Sequence, residues 1–336
     1  MNSAAGVLAV GELIADIVVV DERTDNARAL RPRGDASDRT LHLIARPGGS
    51  PANVAVGLAR LGVAASFAGR LSSVGVGPWL AGYLASNGVD TGFSVKASEA
   101  PTLAVVSLDS AGVPSYRFYG ADTADWHWRR EELPTPERLA VAALHTGSLA
   151  TTTPPGCQAL ASWVADIHAG GAVLVSYDPN VRVSRLSAPA ALAAQVDSWV
   201  RRADLVKVSQ DDLAVLHPGT DATAIARGWA GLGPELVVLT LGAEGSMAFR
   251  PDGSTVASPA PPVQVVDTVG AGDAFCAGLL AWLSEAGALH PGGPSRLSAG
   301  DLRSALNVAS QVAGVTCSRP GADPPGRAEV TAAPWP

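Results

Sequence analysis

Short apolar runs alternate with helical stretches over the second half of the chain. From about residue 140 onwards, runs of four to six apolar residues are each followed by a longer stretch of helical character. Continuous apolar runs of this length are typical of parallel strands buried on both faces. The pattern therefore predicts an α/β fold, with a mostly parallel central sheet between two layers of helices. Strands are predicted at residues 141–144, 173–177, 205–208 and 236–240, and helices at residues 155–169, 188–201 and around 222–230.

The first half of the chain carries shorter strand patterns that do not alternate with helices. A strand at residues 7–10 continues at 17–20, and the polar segment 21–39 that follows predicts a loop or an irregular insert. The sequence Asp109-Ser110-Ala111-Gly112 is a hairpin signal between two strand patterns. These strands predict a small sheet that projects from the main body. The further strands are predicted at residues 40–45, 103–108 and 116–119.

A glycine-rich turn near residue 270 is the most informative chemical feature. Residues 263–266 predict a strand, Gly270-Ala271-Gly272 predicts a tight turn, and an apolar helix pattern follows Asp273. Successive N–H groups in such a turn, with the positive end of a helix, form a site for an anion such as phosphate. Asp273 is placed to take a proton from a hydroxyl beside that phosphate. The arrangement predicts phosphoryl transfer to an alcohol; the alternative is a capped helix without chemistry.

A second glycine pair precedes a helix pattern near residue 50. Gly48-Gly49 opens a segment whose apolar residues Val54, Leu58 and Leu61 repeat at helical spacing, and Asn53 lies in its first turn. Polar residues also follow the predicted strands of the central sheet, where parallel α/β sheets bind ligands. These strand-end residues are Asp178, Lys207, Thr240 and Asp267.

Residues 47–62 and 265–280 together resemble the two signatures of the ribokinase-like sugar kinases of the phosphofructokinase-B type. Weaker similarities to that family cover nearly all of the sequence between them. The resemblance implies one ribokinase-like domain over residues 1–336, with a three-layer α/β/α body and a small β-sheet lid formed by about 17–46 and 100–120. It also implies transfer of the γ-phosphoryl group of ATP to a sugar hydroxyl, and a homodimer formed through the lid.

The resemblance assigns the sugar to a few residues. Asp16, in the sequence Gly-Glu-Leu-Ile-Ala-Asp, would hold sugar hydroxyls together with Asn53; a solvated aspartate and a helix-start asparagine are the alternatives. Gly48 and Gly49 would let the sugar approach the backbone. Arg182, in Asp-Pro-Asn-Val-Arg, would bind the sugar or the transferred phosphate, and a structural pair with Asp178 is the alternative.

The resemblance also places catalysis and ATP. Asp273 is the expected base, and the amides of Gly270, Ala271 and Gly272 are expected to stabilise the transferred phosphoryl group. The residues expected to contact ATP are Lys207, Ser209, Thr240, Gly242, Gly245 and Asn307.

Two cation sites are implied in the same way. Asp212, in Lys-Val-Ser-Gln-Asp-Asp, stands where the family often has a glutamate that organises Mg²⁺, and its shorter side chain would act through water. Helix capping is the alternative role for Ser209 in that segment. Asp267, Val269 and the loop 316–322 correspond to the site of a potassium-like cation in many members.

Composition narrows the classes of partner. The net charge of −7 argues against nucleic acid or an anionic membrane as the main partner, because either requires a basic surface. Three widely separated cysteines form no disulfide framework or zinc spacing and suit a reducing cytoplasm. Glu12 and Asp16 interrupt the apolar segment 7–20, so neither a signal peptide nor a membrane span is expected there. The Pro- and Gly-rich residues after Arg319 predict an extended tail.

The combination of three short segments looks most like bacterial fructokinases. They are residues 48–53, 120–123 and 207–212, so fructose is the first expected substrate. Ribose, 2-keto-3-deoxygluconate or a nucleoside are alternatives within the same class. From other classes, a nucleotide-dependent dehydrogenase would carry a complete Gly-x-Gly-x-x-Gly, which the sequence lacks. A non-catalytic sugar-binding regulator is the third alternative, and the presence of Asp273 argues against it.

Overall fold

A mostly parallel sheet forms the centre of the protein. The computed structural model describes residues 6–19, 43–108, 114–182, 189–330 and 333–336. Within these ranges the central sheet has eight strands in the order β14-β13-β12-β11-β10-β9-β1-β4, and β13 alone among them runs antiparallel to its neighbours, β12 and β14. The strands are β1 (Gly6–Val10), β4 (Ala65–Ala68), β9 (Val141–Gly147), β10 (Leu174–Asp178), β11 (Leu205–Ser209), β12 (Leu236–Thr240), β13 (Ser246–Phe249) and β14 (Thr255–Ser258).

Helices cover both faces of this sheet, as the apolar runs predict. The apolar residues of α1, α7 and α8 pack on one face, and those of α3 to α6 pack on the other. Helix α7 is buried around most of its circumference, because it lies between the sheet, α1 and α8. The helices are α1 (Ser50–Arg60), α2 (Gly77–Ser86), α3 (Gly156–Gly170), α4 (Pro189–Val200), α5 (Gln210–Leu216), α6 (Ala222–Ala230), α7 (Ala271–Glu285) and α8 (Ala299–Cys317).

A separate small sheet contains the strands predicted in the first half of the chain. Its described strands are β3 (Leu43–Gly48), β2 (Ile14–Val19), β7 (Leu103–Leu108) and β8 (Pro114–Tyr119), in that order. The hairpin of β7 and β8 is confirmed, while its turn at 109–112 and the insert 21–39 lie outside the described residues. A third pairing joins β5 (Arg70–Ser72) to β6 (Val95–Ala97).

Three sequence expectations are corrected. Strand β2 does not continue β1 in one sheet, because the chain turns at Gly11 and β2 pairs with β3 and β7. Residues 263–266 form no strand. The N–H groups of Val266 and Asp267 donate to the Cys317 carbonyl, at the end of α8. The segment after Arg319 is not a free tail, since Val330 and Ala333 are buried in the same core cluster as α7.

Candidate active site

Asp273 lies where three distant segments of the chain meet. Helix α7 begins at Ala271 after Gly270, whose φ of 77° is in the left-handed region, and Asp273 is in its first turn. Helix α1 begins beside it after Gly49, whose φ is 105°. A side chain at Gly49 would collide with the Glu12 carbonyl, so glycine is required there.

Hydrogen bonds from the start of α1 and from the turn after β10 hold the Asp273 carboxylate. Ser50 Oγ donates to Oδ1 at 2.6 Å, Asn53 Nδ2 donates to Oδ2 at 2.8 Å, and Asn180 Nδ2 reaches Oδ1 at 3.3 Å. Burial raises the pKa of Asp273, and the bonds from Ser50 and Asn53 oppose that rise. An ionised carboxylate has roughly four acceptor positions. One therefore remains, beyond these described donors, for the proton of a substrate hydroxyl.

The glycine turn in front of Asp273 presents backbone N–H groups at the positive end of α7. The N–H of Ala271 donates to the Thr268 carbonyl at 3.2 Å, so it serves the turn itself. Among the described residues, no acceptor takes the N–H of Gly270 or of Gly272. A side chain at Gly270 would approach Ala322 to 2.5 Å. The turn is thus open to an anion through Gly270 and Gly272, in agreement with the anion site that the sequence predicts.

A buried ion pair lies directly beneath this turn. Lys207 on β11 is 4% exposed, and its Nζ lies 3.0 Å from Asp178 Oδ2 at the end of β10. A Cβ on Gly272 would be 2.7 Å from that Nζ, so the ammonium group touches the backbone of the turn. Burial lowers the pKa of Lys207, but the Asp178 carboxylate outweighs it and raises the pKa above its usual range. Lys207 therefore keeps its positive charge under the anion site.

Asp16 faces Asp273 from the small sheet. It lies on β2 opposite β3, and its carboxylate packs so closely on the Cα of Gly48 that no other residue fits there. Burial raises the pKa of Asp16 to about 6; the positive charge of Arg182 lowers it and the negative charge of Asp273 raises it further. The sequence-predicted sugar residues Asp16, Gly48, Gly49 and Asn53 therefore surround one space in front of Asp273.

The turn after β10 carries Arg182 to the same space. Asn180 has a φ of 38°, and its N–H donates to its neighbour Asp178 at 3.2 Å. Arg182 is exposed, and its charge lowers the pKa of both Asp16 and Asp273. The alternative pairing of Arg182 with Asp178 is not found, because Asp178 pairs with Lys207 instead.

Ser209 and Asp212 form the N-terminal cap of α5. Ser209 Oγ accepts the N–H of Asp212 at 3.0 Å, and Asp212 Oδ2 accepts from Ser209 in return. Asp212 Oδ1 accepts the N–H of Val181 at 2.7 Å, which fixes the turn that carries Arg182. The capping alternative for Ser209 is therefore present in the structure. No cluster of three metal-binding side chains occurs in the described part of the chain. Asp212 accepts three protein hydrogen bonds, from Val181 and from the N–H and hydroxyl of Ser209, which leaves one acceptor position of its carboxylate beyond these described donors.

The residues expected at ATP lie on β11, at the end of β12 and in the turn after it, and on α8. Asn307 is half-buried on α8, and Gly242 is exposed in the turn after β12, which Thr240 ends. Gly245 is buried, and its φ of 104° and its contact with the Ser258 carbonyl give it a role in the β12–β13 connection. Exposed valines line the approach to the turn, which is typical of a ligand-binding surface. They are Val263, Val265 and Val266, with exposed fractions of 38%, 60% and 59%.

Asp267 organises the loop expected to bind a monovalent cation. Its Oδ1 accepts the N–H of Val269 at 3.0 Å, and its Oδ2 accepts the N–H of Gly321 at 2.7 Å. Thr316 was expected in this loop, but it is buried within α8, which continues to Cys317. The loop therefore begins after Cys317.

Comparison with known proteins connects this geometry to one family. The family model described as "pfkB family carbohydrate kinase" matches residues 4–328. The chain belongs to the pfkB family of carbohydrate kinases. A fructokinase of Klebsiella pneumoniae is 38% identical to this kinase over 248 residues, which cover 73% of this chain and 79% of the relative.

Solved fructokinases share the fold of this kinase. The fructokinase of Xylella fastidiosa with bound ATP has a TM-score of 0.82 and 27% identity, and the match covers 97% of both chains. A double mutant of the Vibrio cholerae O395 fructokinase, solved with fructose, ADP and potassium ion, has a TM-score of 0.81 and 27% identity over 99% of both chains. The ribokinase-like α/β fold is confirmed, and membership of this family excludes the dehydrogenase alternative. No described helix of the kinase is long and apolar enough to cross a membrane.

Sequence reasoning did not assign Ser50 to the site of this kinase, and it placed Asn180 at the site without a contact to Asp273. Both donate to Asp273, across 223 and 93 residues of chain. Their only sequence signal is their place within the two quoted segments, Gly-Gly-Ser-Pro-Ala-Asn and Asp-Pro-Asn-Val-Arg. Spacing along the chain gives no sign of which carboxylate they reach.

A cavity of about 480 Å³ lies between the turn after β10 and α4. Asn180 and Arg182 stand at its border, while Asp16, Asn53 and Asp273 do not line it. Its far wall is largely apolar. Leu149, Pro154, Pro155, Leu192 and Val196 contribute to that wall.

Proposed function

We propose that this carbohydrate kinase transfers the γ-phosphoryl group of ATP to a hydroxyl of fructose. The observation that carries the proposal is the Asp273 carboxylate, buried and held by Ser50 and Asn53, one turn from the open N–H groups of Gly270 and Gly272. A base beside an anion site is what phosphoryl transfer to an alcohol requires.

Asp273 takes the proton of the reacting hydroxyl on its remaining acceptor position. The sugar oxygen then forms its bond to the γ-phosphorus while the bond from that phosphorus to the bridging oxygen of ADP breaks. Burial raises the pKa of Asp273, which makes its carboxylate a stronger base than a free one, and the hydrogen bonds from Ser50 and Asn53 stabilise the charged form that takes the proton. The proton leaves Asp273 to solvent after the phosphorylated sugar departs.

The turn and the buried ammonium stabilise the charge on the transferred group. The N–H groups of Gly270 and Gly272 point to it, and Lys207 adds a fixed positive charge from beneath Gly272. Preorganised charges of this kind need no rearrangement during the reaction. Mg²⁺ bound to the phosphates would supply further charge neutralisation, with Asp212 as an outer partner through water.

ATP would lie along the exposed valines between the turn and α8. Val263 packs on Gly314 of α8, and Val265 and Val266 stay open to solvent. An exposed apolar surface suits the base of a nucleotide. Asn307, Thr240 and Gly242 would border it, and Asp267 with the Val269 carbonyl would hold a potassium ion nearby.

Fructose as acceptor is supported by the relatives, which are fructokinases, and by three segments of the sequence. Those segments are residues 48–53, 120–123 and 207–212. The test is kcat/KM with ATP for fructose, ribose, 2-keto-3-deoxygluconate and adenosine, measured by coupled release of ADP. Fructose is expected to give the highest value. A higher value with another acceptor contradicts fructose but not the kinase, and no ADP release with any acceptor contradicts the kinase.

The cavity favours one second candidate, a sugar that carries a ring substituent, such as a nucleoside. Pockets for small ligands occupy about 300–1,000 Å³, and this cavity of about 480 Å³ is lined by Asn180 and Arg182 but not by Asp16 or Asp273. A variant that fills it, Leu192→Trp, separates the two candidates within the same panel. It should leave fructose kinetics unchanged, and should lower kcat/KM for adenosine if adenosine is a substrate.

Asp16→Ala should raise KM for the sugar and leave KM for ATP nearly unchanged. The variant removes a half-buried carboxylate that faces the sugar space, and a hydrogen bond to a charged group contributes roughly 1.5–3 kcal/mol. This corresponds to a rise in KM of about 10- to 150-fold. Steady-state kinetics with each substrate varied in turn measure both constants. A rise confined to KM for ATP would contradict the placement of the sugar at Asp16.

A further inference from the structure

All strands of the small sheet that the structure describes join the body of the protein at one buried cluster. Leu13 precedes β2, Gly49 follows β3, Thr102 precedes β7, and Thr123 lies shortly after β8. The carboxylate of Asp125 is at the centre of this cluster and is 2% exposed. Asp125 itself has no part in the proposed chemistry.

Asp125 binds the origins of two neighbouring strands at once. Its Oδ1 accepts the N–H of Leu13 at 2.9 Å, and its Oδ2 accepts the hydroxyl of Thr102 at 2.7 Å. Because that hydroxyl gives its proton to Asp125, it accepts from Thr123, whose Oγ1 is 2.5 Å away. The single carboxylate thus connects β2, β7 and the exit of β8.

The short turn that carries Asp125 is itself anchored to the body. Arg70 on β5 is buried, and its Nε donates to the Ala124 carbonyl at 3.1 Å. The Arg70 guanidinium also pairs with Glu99 and Glu132. Asp125 therefore connects the strand origins to a turn that Arg70 holds in place on the body of the protein.

An uncharged side chain in place of Asp125 would accept the same hydrogen bonds, and burying it would cost less free energy than burying a carboxylate. The donors to Asp125 are the N–H groups of Leu13 and Thr102 and the hydroxyl of Thr102, and burial raises the pKa of the carboxyl to about 6. Glu12, whose Oε2 accepts the N–H of Ala150 at 3.1 Å, is a second buried carboxylate in the region. Charge-assisted bonds are shorter and stronger than neutral ones, so a carboxylate holds these strand origins more firmly.

We propose that Asp125 is a positioning residue of the sugar site, which fixes the origin of β2 and thereby the place of Asp16 opposite Asp273. Asp16 follows Leu13 by three residues, about 10 Å along an extended strand. A tilt of β2 at Leu13 moves Asp16 away from the sugar, and a misplacement of about 1 Å in such a site costs on the order of 10²-fold in rate. The proposal rests on the sugar kinase function given above.

Asp125→Ala tests it through the two Michaelis constants. The KM for the sugar should rise by about tenfold, because the three bonds to the charged Asp125 carboxylate are lost at the strand origins. The KM for ATP should stay within about twofold, since the nucleotide side of the site is held by α7 and α8. Thr102→Val removes only one bond and should give a smaller rise. Asp125→Asn should restore most of the loss, because its amide oxygen can still accept from Leu13.

Two controls separate positioning from a general loss of stability. Leu289→Ala truncates the core near the far end of α7, about 20 Å from Asp273 along the helix. It should lower Tm without changing KM for the sugar. In an Asp16→Ala background, Asp125→Ala should change KM for the sugar by less than about twofold, because no carboxylate is left to place.

Activity of the wild-type protein distinguishes a failure of this proposal from a failure of the proposed function. If the wild-type protein phosphorylates no sugar, the function itself is wrong. If it does, an unchanged KM for the sugar in Asp125→Ala, or full additivity with Asp16→Ala, overturns the positioning role. If Asp125→Ala does not fold, KM for the sugar is compared among Thr102→Val, Asp125→Asn and the wild type. Equal values for all three proteins overturn the positioning role of Asp125.

Discussion

Asp273→Asn should lower kcat by on the order of 10²–10⁴-fold, the usual effect of removing a general base. The amide has the shape of the carboxylate but cannot take the proton of the sugar hydroxyl. Its oxygen can still accept from Ser50 or Asn53, so the ends of α1 and α7 should stay together. The measurement is kcat at saturating fructose and ATP, with sugar affinity determined separately by calorimetry.

Ser50→Ala is the matched control for this variant. It removes one donor to Asp273 but leaves the carboxylate, so kcat should fall far less than in Asp273→Asn. Both proteins should keep the wild-type Tm within a few degrees. Turnover near the wild-type value in a folded Asp273→Asn protein would contradict its role as the base.

Lys207→Met should lower the free energy of unfolding by about 3–5 kcal/mol, because it leaves the buried Asp178 carboxylate without its cation. The double variant Lys207→Met/Asp178→Asn removes both charges and should recover a large part of that loss. Unfolding in urea at pH 7 measures the difference in each case. The double variant should remain a poor enzyme, because the positive charge beneath Gly272 is absent.

An exposed ion pair provides the comparison. Arg130 on the surface lies 2.8 Å from Asp166 of α3, and both side chains are largely open to solvent. Arg130→Met should cost about 0–1 kcal/mol, as surface pairs do. If Lys207→Met cost no more than Arg130→Met, the Lys207–Asp178 pair would not hold the floor of the site.

The strands of the central sheet could be predicted because their signal is local. Runs such as Leu236–Thr240 are apolar at nearly every position, and burial on both faces of a parallel sheet requires this pattern. The glycine turn before Asp273 is equally local, since a left-handed residue and a helix start occupy adjacent positions. For these elements, the residues within a window of about ten positions are enough to determine the local structure.

Residues 263–266 show why a local pattern can be wrong. Their valines fit a strand by composition, but the valine side chains are exposed. The N–H of Val266 donates to the Cys317 carbonyl at the end of α8 instead of to a neighbouring strand. An apolar run therefore predicts burial or a binding surface, and only the tertiary contacts decide between the two. The side chains that hold Asp273 were beyond prediction for a related reason, because the sequence does not encode which distant segments meet.

The support of Asp273 from distant segments ties catalysis to the completion of folding. Its donors are separated from it by 223, 220 and 93 residues of chain. Contacts of such long range close late, because the entropy of closing large loops has to be offset first. A refolding chain can thus regain helix content while Asp273 still lacks its partners. During refolding, enzymatic activity should therefore return only when these last contacts to Asp273 have formed. A fragment that contains the glycine turn alone should have no kinase activity.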